Sequence, residues 1–306
     1  MLSILNSNQP VAWAIVPFSG VVLFLGSWAL DLVESASWPA LGAVCISAWL
    51  IHRIHADSGM RTRPGSIPSW VWVLLATPMI GMVADWTWWA FPCFFQGMRH
   101  VMSLRDGDRR PATFMFIGMW WCAGILIDAA LWPFLPALLA ALLFVRRPGE
   151  EESVAVLLGL AAPVLLTGSV IWLMEGELRG FWGWRPAADP AMLSIALWLS
   201  LPLVLGSVFR LQSLVRATAQ QRYARQLTQW AAVLGVLAIG LMEGTQWSSD
   251  QGHSPALAGF PGAVAFLAAW SWPWLMPPRM RWTKVAPFAF VLLSAGVVAI
   301  RFSHGL

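Results

Sequence analysis

The chain has 306 residues, 58% hydrophobic and 11% charged, with a mean hydropathy of +0.66. Soluble proteins carry about 25% charged residues, so a water-soluble globule, a disordered chain, a secreted disulfide scaffold and a coiled coil are all excluded. The net charge of +4 does not point to nucleic acid, because the basic residues stand only between apolar blocks, where membrane orientation accounts for them.

What remains is a protein whose solvent is lipid. Crossing about 30 Å of hydrocarbon takes roughly 20 helical residues. A β-barrel would instead show strands of alternating polarity, and the runs at 131–145 and 153–174 do not alternate. The expected fold is therefore all-α, a polytopic transmembrane helical bundle of about eleven spans (roughly nine to eleven). It forms a single integral membrane domain over 1–306. The spans are expected near 11–30, 38–51, 70–84, 86–98, 112–127, 129–145, 154–174, 191–209, 230–242, 255–275 and 285–300. The N-terminus lacks a basic region and an A-x-A site, so the first apolar block reads as a retained span rather than a signal peptide. Cys45, Cys93 and Cys122 lie within apolar blocks and are odd in number, which implies no disulfide framework.

Sorting the charges tests this segmentation. With the N-terminus cytoplasmic, the inner loops hold Arg53, Arg61, Arg63, Arg99, Arg105, Arg109, Arg110, Arg146, Arg147, Arg210, Arg216, Arg222, Arg225, Arg279, Arg281 and Lys284. Only Arg179, Arg185 and Arg301 of the 19 basic residues fall outside. The outer side collects Asp31, Glu34, Asp85, Asp128, Glu175, Glu177, Asp189, Glu243 and Asp250. Such a split is the positive-inside pattern of a multi-pass protein of the bacterial inner membrane. The stretch 210–229, with Leu211, Leu214 and Val215 among arginines, reads either as an amphipathic helix on the inner leaflet or as a solvated loop.

Several early spans are short. The stretches 38–51 and 86–98 rise only about 21 and 20 Å at 1.5 Å per residue. If their hairpins stop below the outer surface, Asp85 and Asp128 sit at depth, where an acid is costly unless it faces a cavity or partner. Asp31 and Glu34 follow the first span at spacing i, i+3, which places both on one face of a continuing helix. Asp31, Glu34 and Asp85 are thus the candidate catalytic acids, each set against the plainer reading of a loop residue in water. The 22 tryptophans fit interfacial belts. A sharper alternative has Trp86, Trp88 and Trp89, with Asp128, binding substrate by stacking on a sugar or prenyl chain. His52 and His55 stand at i, i+3 before Asp57, but a zinc site would need further ligands. No Walker A, GxGxxG, HExxH, CxxC or GxSxG motif occurs, and neither a cofactor nor a metal is expected. Leu173-Met174-Glu175-Gly176 recurs as Leu241-Met242-Glu243-Gly244, a match that chance explains in so apolar a chain.

Two resemblances follow. Ser7-Asn8-Gln9-Pro10, the stretch from Ile51-His52-Arg53-Ile54 to Ile67-Pro68, Met98-Arg99-His100 to Ser103-Leu104, and Phe116-Ile117-Gly118 to Arg146-Arg147-Pro148 resemble a family of uncharacterised polytopic inner-membrane proteins with a domain of unknown function, over about the first 175 residues. Gly118 through Gly124, followed by 131–145 and Arg146-Arg147, is similar to the membrane core of GT-C glycosyltransferases. That second resemblance implies a sugar donor on polyprenyl phosphate and acids on the first outward loop, which would be Asp31 and Glu34, with Asp85 a further acid. The first outward loop here is only a few residues long.

Three functions compete. The favoured one is a non-enzymatic subunit or scaffold of a cell-envelope assembly, whose partners are membrane lipid and another envelope protein. The second is a GT-C-like enzyme handling polyprenyl-phosphate-linked sugars. The third is a transporter, for which paired broken spans and inverted repeats are the usual marks.

Overall fold

A computed structural model describes residues 10–30, 33, 37–57, 66–81, 85–104, 110–127, 134–145, 148–175 and 291–300. Every regular element among the described residues is helical. The sequence stretches 191–209, 210–229, 230–242 and 255–275, and the Leu241–Gly244 recurrence, lie outside them.

Helix α1, Pro10–Ala29, is 20 residues long and has no charged residue. Its inner stripe of Val16, Gly20, Phe24 and Ser27 is buried, while Val11, Phe18, Val22 and Leu25 on the opposite face are exposed. Helix α2, Trp38–Asp57, is also 20 residues long and runs antiparallel to α1. Phe24 meets Trp38 at one end with ring centroids 4.6 Å apart, and Trp13 meets His52 edge-on at 4.0 Å at the other.

Helix α3, Ile67–Ala76, starts with a proline in its first turn, where the missing N–H costs nothing. All ten of its residues are buried. A helix so enclosed must place every polar side-chain group on a neighbour, and most of them are placed. Ser69 Oγ donates to the Ala48 carbonyl at 2.7 Å and Trp72 Nε1 to the Val44 carbonyl at 3.1 Å, which sets α3 antiparallel to α2. Trp70 Nε1 donates to Ser19 Oγ at 3.1 Å, and Ser19 Oγ in turn donates to the Ile15 carbonyl at 2.7 Å. With Val73 and Thr77 beside Gly20, these contacts run α3 parallel to α1.

The α-helical pattern stops at Ala76. A 3₁₀ turn, Thr77–Met79, follows, then extended Ile80 and Gly81 at φ 88°, a left-handed conformation that glycine adopts without strain. A second 3₁₀ turn, Asp85–Trp89, leads into α4, Ala90–Ser103. Trp72 of α3 packs against Phe91 and Phe95 of α4 at 5.3 and 5.2 Å.

Helix α5, Pro111–Ile127, sits between two neighbours and meets each through glycine. Trp121 lies across Gly97 of α4, and Gly124 sits against Phe94 and the Ala90 carbonyl, so α4 and α5 are antiparallel. On the other side Gly118 meets the Val156 carbonyl and Gly159 meets the Met115 carbonyl of the facing helix. That helix is α7, Glu150–Glu175, at 26 residues the longest described. Its first turn holds three glutamates, favourable at the positive end of the helix dipole. Glu152 Oε2 accepts the Gly149 N–H at 2.9 Å, one half of a capping box. Between α5 and α7 in chain order, α6, Phe134–Val145, buries Leu138 and Leu142. Helix α8, Val291–Ile300, returns to the same core, with Leu293 and Val297 buried in it.

Among the described residues one helix, Glu150–Met174, is long and apolar enough to cross a membrane. Trp13–Ala29, Trp38–Ile54, Ile67–Met79, Pro111–Ile127 and Val291–Ile300 are shorter apolar stretches. Three expected boundaries are corrected. The span expected at 38–51 continues as helix to Asp57, its apolar stretch reaching Ile54. Arg53 ends the apolar run but not the helix, its guanidinium lying 5.3 Å from the centre of the Trp49 ring. The span expected at 70–84 begins at Ile67 and ceases to be α-helical after Ala76, because Pro78 has no N–H to return to the Leu74 carbonyl. The span expected from 86 opens as a 3₁₀ turn, and its α-helix runs on to Ser103.

Candidate functional site

The alternating helix directions sort the connections between two ends. At one end lie the C-terminus of α1, the N-terminus of α2, the Ile80–Gly81 turn and the C-terminus of α5. The Asp85–Trp89 turn is there too, packed against both α2 and α5. Asp85 is half-buried and opens that turn. Its neighbours point different ways: Trp86 and Trp89 are 59% and 39% exposed, whereas Trp88 is 1% exposed and packs on Phe91 at 5.6 Å. One turn thus carries a half-buried acid and two exposed indoles and turns the third indole inward. Asp31, Glu34 and Asp128 lie outside the described residues. The last described residues before Asp31 and Asp128 are Leu30 and Ile127, and both belong to this end.

The opposite end carries the basic residues Arg53 and Arg99. Arg53 is exposed on the last turns of α2. On α4, Gln96, Arg99, His100 and Ser103 recur at helical spacing along one less-buried stripe. His100 stacks on Phe116 of α5, with centroids 5.8 Å apart and planes at 21°. Gln96 Nε2 lies 3.5 Å from its Nε2, and Ser103 Oγ donates to its carbonyl at 2.8 Å. Burial and then the adjacent Arg99 guanidinium hold the imidazole of this residue, beyond the apolar stretch, below its ordinary range. His52 does not share this cluster; it is buried against Trp13. No group of three or more His, Cys, Asp or Glu that could hold a metal ion occurs among the described residues.

The sequence reading overlooked a third set of groups. Among the described residues, buried polar atoms with no hydrogen-bond partner include Ser66 Oγ, Thr77 Oγ1, Trp88 Nε1 and Trp121 Nε1. Trp121 Nε1 lies over Gly97, a packing position. Thr77 differs, because it stands where the α-helix itself breaks. The signal for it was present as Thr-Pro inside an apolar run, a marker of a helix boundary.

No protein-family model, curated protein or solved structure matches the chain.

Proposed function

We propose that the chain is a multi-pass protein of the bacterial inner membrane, N-terminus cytoplasmic, crossing the bilayer about eleven times, and that it serves as a non-enzymatic subunit of a cell-envelope assembly. The observation that carries the membrane part is the outer surface of α7. Leu157, Leu158, Val164, Leu165, Leu166, Val170, Trp172, Leu173 and Met174 are all exposed, over a helix with no charged residue between Glu152 and Glu175. Helix α1 repeats the arrangement, apolar toward the bundle and apolar away from it. A helix apolar on every face belongs to a large core or to lipid, and here the outer faces are exposed among the described residues. The subunit part draws support from the interior, where aromatic and aliphatic side chains fill the space between α1, α2, α3 and α4.

Two experiments test this reading. A membrane-impermeant thiol reagent should label a cysteine introduced beside Glu177 and miss one beside Arg222, in a variant lacking the three native cysteines; the reverse pattern overturns the orientation. Purification from native membranes should then recover a partner of fixed stoichiometry, and a lone monomer overturns the subunit role.

One observation favours a second reading, the GT-C-like enzyme acting on polyprenyl-phosphate-linked sugars. Half-buried Asp85 shares its 3₁₀ turn with exposed Trp86 and Trp89, at the end of the bundle that Leu30 and Ile127 also reach. An acid and two exposed indoles on one turn at headgroup level suit a sugar on a lipid carrier. Asp31→Asn, Glu34→Gln and Asp85→Asn, made singly at normal protein levels, should then abolish sugar transfer. Unchanged transfer in all three removes the enzyme.

A further inference from the structure

Where α4 and α5 lie side by side, a polar column runs along an aromatic one. On α4, Gln96, His100 and Ser103 follow at intervals of four and three residues and share one face, with Arg99 at its border. On α5, Phe116 and Trp120 stand one turn apart, 47% and 37% exposed. Two contacts fix the columns together. His100 stacks on Phe116 with centroids 5.8 Å apart, and Gly97 lies under Trp121, which brings Gln96 level with Trp120. Gln96 Nε2 in turn lies 3.5 Å from His100 Nε2.

Depth, charge and shape each bear on what this flank meets. Arg99, His100 and Ser103 follow directly on the apolar run 86–98, at the end that the positive-inside pattern makes cytoplasmic, and Gln96 lies a turn deeper. A half-exposed amide at that depth is costly against hydrocarbon alone. The charge is of one sign, because neither α4 nor α5 contains an acid. The glutamates of α7 stand beyond the other side of α5. Gly118 meets α7, and Phe116 and Trp120, each two residues from Gly118, point roughly the opposite way. Close helix crossings in this bundle run through Gly97, Gly118, Gly124 and Gly159. At the level of His100 and Phe116 the flank offers long side chains and a charge instead. These keep another helix backbone at a distance but fit a flexible chain that ends in a phosphate.

We propose that the α4–α5 flank binds one anionic phospholipid of the inner leaflet through its phosphodiester. Arg99 supplies the charge, and its five N–H donors allow it to keep a contact within the protein while it meets a phosphate oxygen. His100, held below its ordinary range by burial and then by Arg99, is neutral near pH 7 and supplies an N–H donor, as does the Gln96 amide. Phe116 and Trp120 line the path of an acyl chain. The proposal rests on the membrane reading of the bundle and on neither of the two functional roles above.

The test uses the full-length protein, stripped of bound lipid and melted in detergent micelles that contain either anionic phosphatidylglycerol or zwitterionic phosphatidylcholine. A ligand bound only to the folded state raises the melting temperature, so phosphatidylglycerol should raise it by roughly 2–5 °C over phosphatidylcholine. Native mass spectrometry of the same samples should show one anionic lipid retained per chain. Arg99→Gln should abolish the difference, while Arg53→Gln, which removes an equal charge from α2 beside Trp49, should keep it. Gln96→Leu should lower the retained lipid several-fold without loss of stability in phosphatidylcholine, and it decides if Arg99→Gln does not fold. Equal melting in the two lipids overturns the proposal. Equal losses in Arg99→Gln and Arg53→Gln would mark diffuse attraction and also overturn it, as would matching stabilisation by inorganic phosphate in lipid-free micelles. A protein that copurifies on this flank and shields it from lipid overturns it too. Thiol labelling reports separately on the membrane reading, so a correctly oriented protein indifferent to lipid charge fails this proposal alone.

Discussion

Helices α3 and α7 are both apolar, yet they are covered in opposite ways. Every residue of α3 is buried by protein, while α7 touches protein mainly through α5 and leaves most of its apolar side chains exposed. Their contacts differ accordingly. Helix α3 is held by aromatic rings and by side-chain donors reaching the backbones or hydroxyls of α1 and α2. Helix α7 is held by close backbone approach, glycine against carbonyl, the mode expected where lipid competes equally for every methyl group and no water drives apolar surfaces together. An apolar run in the sequence therefore says that a helix avoids water, but not what it meets instead.

The largest effects should come from the glycine crossing. Gly159→Leu places a side chain where the Met115 carbonyl already stands, and Gly118→Leu does the same against Val156. Overpacking of this kind costs about 3 kcal/mol or more, and both variants should fail to give a monodisperse protein after detergent extraction. Leu165→Asp probes the other face of the same helix. Leu165 is 68% exposed, so in a water-soluble protein the change would be mild. At a helix centre in lipid an aspartate costs roughly 3 kcal/mol, and the membrane-integrated fraction after carbonate washing should fall sharply. Undiminished integration would erase the contrast between the two helices.

Tryptophan gives a finer comparison. Trp72 is 0% exposed and Trp172 is 57% exposed. Trp72→Phe removes the bond to the Val44 carbonyl, which keeps its helical N–H partner within α2, and should cost about 1.5 kcal/mol. Trp172→Phe should stay within about 0.5 kcal/mol. Equal losses in denaturation of the purified protein would mean that α7 is covered after all. Smallest, Glu152→Ala removes the acceptor of the Gly149 N–H and should lower stability by about 1 kcal/mol, read as earlier fraying of α7 by hydrogen exchange at Gly149.

Legibility followed the same division. The apolar runs at 11–30, 112–127 and 154–174 correspond to α1, α5 and α7, because no charge interrupts the stretch and the helix carries on through Pro17 in α1 and Pro163 in α7. The ends of α2 and α3 were misjudged for opposite reasons. Arg53 interrupts hydropathy without interrupting hydrogen bonding, whereas Pro78 interrupts hydrogen bonding without interrupting hydropathy. Of the proposed site, Asp85 was visible as an acid between apolar runs. That Trp88 turns inward while Trp86 and Trp89 turn outward is a property of the 3₁₀ turn, and no period of apolar residues announces it. Gly118 and Gly124 entered through a family resemblance; in the fold both are points of close helix approach.

The bonds that fasten α3 carry a consequence for how the protein is made. Ser69, Trp70 and Trp72 find their partners at Ala48, Ser19 and Val44, all of which leave the ribosome earlier. A segment of ten α-helical residues is too short to partition into a bilayer unaided. Its binding surface is nevertheless already assembled when it emerges, so translation from N- to C-terminus supplies the docking site before the part that needs it. In the proposed membrane setting, reordering the gene so that α3 is synthesised first would leave it without its docking site, even though the finished set of contacts would be the same.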